Sequence, residues 1–168
     1  MCDDPLVIDT ASTVHDLLKE RGETVATAES LTGGRLAALL TEAPGASATY
    51  LGGAVTYATE AKVEVLGVDQ AIVDEHGVVS AECARAMARG VRALMGATYA
   101  VSTTGVAGPE EQEGKEAGTV YVGLAGPGGD AAIALDLVGD RQKIQDRTCA
   151  EALSALAGMV REEETDLG

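Results

Sequence analysis

Residues 24–42 read TVATAESLTGGRLAALLTE, a strand, a turn and a helix in succession. Thr24 to Ala28 is short and rich in β-formers, which predicts a buried strand. Glu29-Ser30-Leu31-Thr32-Gly33-Gly34 turns the chain, and Arg35 to Glu42 has a helical pattern that stops before Pro44. A strand feeding a helix in this way is the building unit of a layered α/β domain.

Working outward, Thr10 to Arg21 reads as an amphipathic helix with Val14, Leu17 and Leu18 on one face and Gly22 as its stop. Tyr50 to Tyr57 predicts a strand and Thr59 to Leu66 a helix closed by Gly67. Ser80 caps a helix over 81–95, whose inward stripe is Cys83, Ala84, Met87, Val91, Leu94 and Met95. Thr98 to Thr104 is a strand, and 105–118 a polar loop. Strands 119–125 and 131–138 form a hairpin around Pro127-Gly128-Gly129. A last helix covers 141–161, with Ile144, Leu153, Leu156 and Val160 inward, and the acidic tail 162–168 is expected to fray. Alternating strands and helices predict an α/β fold with helices covering a mixed sheet, and the terminal hairpin argues against an all-parallel one.

The chain has 168 residues, the length of one domain, 1–168, with its core over about 10–161. It carries 27 acidic against 12 basic residues, a formal net charge of −15. That balance repels nucleic acid and anionic membranes and fits a protein adapted to concentrated salt. Aromatic residues are limited to four tyrosines, so the core must be aliphatic. Cys2, Cys83 and Cys149 are scattered without a CxxC, which indicates neither a disulfide framework nor a metal cage. No run of 18 apolar residues and no basic leader is present, and a cytoplasmic location is expected.

The turn at 29–34 places the Ser30 hydroxyl beside backbone N–H groups at the positive end of a helix, an arrangement suited to an oxyanion or phosphate. Spacing alone favours Ser30 or Thr32 as a simple N-cap; the glycine pair Gly33-Gly34 shifts weight back towards a site. A nucleophilic serine needs a base. His15 and His76 read as surface residues, which leaves Lys62, five residues after Tyr57, or else a surface lysine paired with Glu60 or Glu64. Thr104, Gly105 and Gly108 sit in a loop that fails as a dinucleotide or phosphate loop and reads as a ligand wrap or an ordinary turn. Arg141, at a helix start, could grip a phosphate or pair with Asp140 or Asp136.

Taken together, AESLTGG (28–34), YATEAK (57–62), TGVAGP (104–109), GTVYVGLA (118–125) and GDR (139–141) resemble the CinA C-terminal domain family, the nicotinamide-nucleotide amidohydrolase (PncC) group. The resemblance runs from about Leu17 to Leu156. It implies a three-layer α/β/α sandwich and hydrolysis of the carboxamide of nicotinamide mononucleotide to nicotinate mononucleotide and ammonia. It implies Ser30 as nucleophile, Lys62 as base and Tyr57 as its assistant. Backbone N–H groups of Thr32, Gly33 and Gly34 would hold the oxyanion, and Arg141 with the Thr104–Gly108 loop the phosphate or ribose. No cofactor or metal is implied. The partners expected are a small nucleotide and a second copy of the chain, a homo-oligomer guessed to be a dimer. A non-catalytic nucleotide-binding or regulatory module is the alternative. The chain departs from the family pattern at Thr59 (usually Asn), Glu111-Gln112 (Gly-Gly) and Lys115-Glu116 (Lys-Pro).

Overall fold

The computed structural model describes the backbone of residues 4–167 and the side chains of residues 4–163. Cys2 and Gly168 lie outside the described residues. Helix α1 (Pro5–Arg21) begins five residues before the expected start at Thr10, and its buried stripe already includes Val7 and Ala11. Its start is set by cap chemistry: Asp4 accepts from Leu6 N at 2.9 Å, and Pro5 takes the first turn, where no backbone donor is needed. Strand β1 (Val25–Glu29) and helix α2 (Arg35–Glu42) follow, then β2 (Tyr50–Val55) and α3 (Thr59–Leu66).

A short helix, α4 (Gln70–His76), was not legible in the sequence. It buries none of its residues, so no apolar stripe marks it, and only the Asp69 cap on Ala71 N announces it. Helix α5 (Ala81–Met95) starts as expected at Ser80, whose Oγ accepts from Cys83 N at 3.1 Å. The row Cys83-Met87-Val91 continues to Met95, which leaves Leu94 turned outward and exposed, contrary to the expected stripe.

Strands β3 (Tyr99–Gly105), β4 (Thr119–Gly126) and β5 (Gly129–Asp136) complete the sheet. The hairpin closes on the pair Gly126 and Gly129, so only Pro127 and Gly128 form the turn. This moves β5 two residues earlier than expected and leaves Val138 in solvent. Helix α6 (Arg141–Leu167) runs through the tail expected to fray. Glu163 anchors it, accepting from the Tyr99 hydroxyl at 2.7 Å and Gly128 N at 3.0 Å.

The strand order is β2-β1-β3-β4-β5, with β1 parallel to both neighbours and the β3–β4 and β4–β5 pairs antiparallel. Side chains alternate across this mixed sheet. Val25, Tyr99, Val101, Val122 and Leu124 face α1, α2 and α6; Ala26, Ala28, Ala100 and Ala125 face α3 and α5. The result is a three-layer α/β/α sandwich. Small residues on the second face let helices approach closely. On α5, a Cβ at Gly90 would lie 2.0 Å from the Leu66 carbonyl oxygen, so the end of α3 rests on the α5 backbone. That contact fixes the helix carrying Lys62.

Candidate active site

The alternation that builds the two layers also divides the turn after β1. Glu29 falls on the α2 side, and Ser30 follows at the carboxyl ends of the parallel strands, where open α/β sheets hold their ligands. Ser30 N donates to the Thr103 carbonyl at 3.0 Å, which ties the turn to the end of β3.

Lys62 is buried to 1% exposure, which removes the surface pairing with Glu60 or Glu64 as a reading of this residue. Its Nζ lies 3.0 Å from Ser30 Oγ, 2.7 Å from the Thr56 carbonyl oxygen and 3.3 Å from that of Tyr57. A charged ammonium donates to all three. A neutral amine has two N–H bonds and one lone pair, and the two carbonyls can only accept. The lone pair then faces Ser30 Oγ, whose hydroxyl donates to it. Burial pushes the Lys62 pKa below the ordinary lysine value, against an opposing influence from the Cys83 thiolate where it is ionised and from the Glu113 and Glu60 carboxylates. Burial likewise pushes the Cys83 thiol up to about 11, so it stays protonated.

Tyr57 takes part by a different route from the one expected. Its carbonyl helps to orient Lys62, while its exposed hydroxyl accepts from Arg141 Nη2 at 2.8 Å. Arg141 Nη1 donates to the Gly108 carbonyl at 2.6 Å. Arg141 therefore joins the loop after β2 to the loop after β3 instead of pairing with Asp140 or Asp136. Ser30, Tyr57, Thr104, Gly105, Gly108 and Arg141 line one cleft of about 500 Å³, with Val78 and Val79 as a wall and Glu110, Glu111 and Gln112 alongside.

The Thr104 hydroxyl is committed to that wall, donating to the Val78 carbonyl at 2.7 Å. The Glu113 carboxylate accepts from Val78 N and Val79 N at 3.1 and 2.8 Å, and Lys115 Nζ donates to the Val79 carbonyl. Glu113 is the one residue other than glycine with a positive φ, 54°, among those described. Nothing in the sequence marked it out as the clamp of the 105–118 loop.

The N-terminus of α2 is not open to an anion, contrary to the expectation for this turn. Glu29 fills it, accepting from Leu36 N at 2.8 Å and Ala37 N at 3.1 Å. Of the three donors expected for an oxyanion, Gly33 N is taken by the Ser30 carbonyl at 3.0 Å. Among the described residues, Leu31 N, Thr32 N and Gly34 N have no protein acceptor. The glycine pair serves backbone conformation, with φ of 55° at Gly33 and 102° at Gly34, and no crowding requires it. His15 is buried, contrary to expectation: Nε2 donates to the Leu40 carbonyl and Nδ1 meets the Thr49 hydroxyl, which locks α1 to the end of α2. His76 stays on the surface beside Glu75 and Glu82.

The model of the CinA C-terminal domain matches residues 8–160. The chain belongs to the CinA C-terminal domain family. It is 49% identical over 159 residues to a CinA-like protein of Frankia casuarinae, a match covering 92% of this chain and 37% of that protein. It is 50% identical over 133 residues to a CinA-like protein of Synechocystis, covering 79% and 32%. The chain thus spans about a third of the length of these curated relatives. Among solved structures, the competence/damage inducible protein of Agrobacterium tumefaciens superposes with a TM-score of 0.90 at 32% identity, covering 94% of this chain and 98% of that one. A CinA superfamily protein of Klebsiella pneumoniae gives 0.89 at 34% identity, with 93% and 98% covered. Among the described residues, no helix is long and apolar enough to cross a membrane.

Proposed function

We propose that this CinA domain is an amidohydrolase acting on nicotinamide mononucleotide, with Ser30 as nucleophile and Lys62 as general base. The observation that carries this reading is the buried 3.0 Å contact between Lys62 Nζ and the Oγ of Ser30, a residue that lines the cleft. Neutral Lys62 takes the Ser30 proton as Oγ attacks the amide carbon, then passes that proton to the departing ammonia. Water attacks the acyl carbon and gives a proton to Lys62, which hands that proton to the departing Ser30 Oγ and so restores both groups. Leu31 N, Thr32 N and Gly34 N are the donors left to receive the oxyanion, and one such donor is worth about 10²–10³ in rate. Arg141 uses two of its five donors on Tyr57 and Gly108, which leaves the others for the nucleotide phosphate. The active form is a homodimer in this reading, and the enzyme works in the cytoplasm at high salt.

The test is ammonia release from nicotinamide mononucleotide in molar salt by the wild type, Ser30→Ala and Lys62→Ala. Release by the wild type alone is expected. An inert wild type whose melting temperature still rises with the nucleotide would instead make the domain a binding or regulatory module.

A further inference from the structure

We propose that Glu29 is the positioning residue that holds Ser30 in register with Lys62. The inference rests on the Ser30–Lys62 reading above, in which Glu29 has no step of its own.

Glu29 is 1% exposed, and three donors converge on its two oxygens. Oε1 accepts from Thr32 Oγ1 at 2.7 Å and Leu36 N at 2.8 Å, and Oε2 accepts from Ala37 N at 3.1 Å. The Thr32 hydroxyl has one proton, which goes to the carboxylate. Thr103 Oγ1, 2.8 Å from Thr32 Oγ1, must then be the donor of that second contact. Thr103 Oγ1 in turn receives Ser30 N at 3.4 Å, beside that donor's main bond to the Thr103 carbonyl at 3.0 Å. A directed chain therefore runs from the Ser30 amide through Thr103 and Thr32 to Glu29. Its polarity is set by the one member that can only accept.

The geometry closes on the nucleophile from both sides. Glu29 and Thr32 bracket Ser30 in sequence and are bonded to each other, which fixes the turn. The same carboxylate fastens that turn to the first residues of α2. Ser30 Oγ leaves the opposite side of the backbone towards Lys62. A neutral amide at position 29 cannot replace the carboxylate. It has one acceptor oxygen for three donors, and its NH₂ group would face a donor or reverse the hydroxyl chain.

The experiment compares the wild type, Glu29→Gln, Thr32→Val and Thr32→Ser, each checked for folding by circular dichroism. Two readouts are taken: kcat and KM for nicotinamide mononucleotide, and the rate at which a small sulfonyl fluoride modifies Ser30, followed by intact mass with Ser30→Ala as blank. Glu29→Gln and Thr32→Val are expected to slow Ser30 modification and kcat together by roughly 10- to 100-fold, as small misplacements of a reacting group do. KM should stay within about twofold, since only the reacting atom has moved. Thr32→Ser, which restores the hydroxyl, should recover most of the rate. If Glu29→Gln does not fold, Thr32→Val decides, because it keeps the cap of α2. Folded variants with wild-type rates overturn the proposal, as does a loss confined to KM. Rapid modification of wild-type Ser30 without ammonia release would reject the substrate alone and leave Glu29 to be judged by the labelling rates. A wild-type Ser30 no more reactive than a surface serine rejects both.

Discussion

Arg141 donates from Nη2 to the Tyr57 hydroxyl at 2.8 Å, so the start of α6 and the loop after β2 meet across the mouth of the cleft. The contact orients a cation that the proposed substrate phosphate would need, and it lies apart from the bonds that hold Lys62. Tyr57→Phe is therefore expected to raise KM about two- to tenfold, the range for an ordinary hydrogen bond of roughly 0.5–1.5 kcal/mol at an exposed position, with kcat little changed. Steady-state kinetics separate this from direct assistance to Lys62, in which kcat would fall instead.

The pH dependence follows from the burial of Lys62. The amine acts as a base only when neutral, and burial lowers its pKa from the ordinary lysine value. Activity should rise with pH along a limb set by Lys62 and lying below the normal range for lysine. Stability moves in the same direction. Between the folded and unfolded pKa values the unfolded chain binds more protons, so the wild type gains stability relative to Lys62→Met as pH rises through that window. Denaturant titrations of the two proteins at several pH values check the sign.

Glu113 couples the cleft wall to Lys62. Its carboxylate holds Val78 N and Val79 N, and its charge raises the Lys62 pKa. Glu113→Gln should move the acidic limb of the activity profile to lower pH. Because Glu113 is exposed, the shift should shrink as salt is raised. A limb that stays in place at low salt would refute this coupling.

With a net charge of −15, the folded chain repels itself, and salt should relieve that repulsion. Melting temperature and activity are both expected to rise towards molar salt. An enzyme inhibited over that range would remove the halophilic reading.

Ser80→Ala removes the hydroxyl that receives Cys83 N at the start of α5. The expected cost is about 1 kcal/mol, or roughly 2–4 °C in melting temperature for a chain of this size. Activity at temperatures well below the melt should be unchanged.

What the sequence disclosed and what it hid have physical causes. Strand β1 and helix α2 carry strong local signals, so the layered fold could be anticipated, whereas spacing left both Ser30 and Lys62 open and only the family resemblance implied their pairing. Helix α4 has no buried residue and therefore no periodicity to read. His15 looked like a surface residue because its partners, Leu40 and Thr49, lie 25 and 34 residues away. Glu29 was missed for a related reason: a carboxylate in an apolar strand makes sense only once the N-terminus of α2 is known to sit against it. Glu113 and Arg141 bond to backbone atoms of distant loops, which residue type does not reveal.

The strict two-residue repeat of β1 has a bearing on how this domain can evolve. An added or deleted residue between Val25 and Ser30 would send the acid to one layer and the alcohol to the other in reverse, confronting the buried amine with Glu29 and stranding Ser30 among the first amides of α2. Exchanges of one aliphatic residue for another along that segment leave the partition intact. Lineages that retain the chemistry should therefore vary this segment in composition while conserving its length.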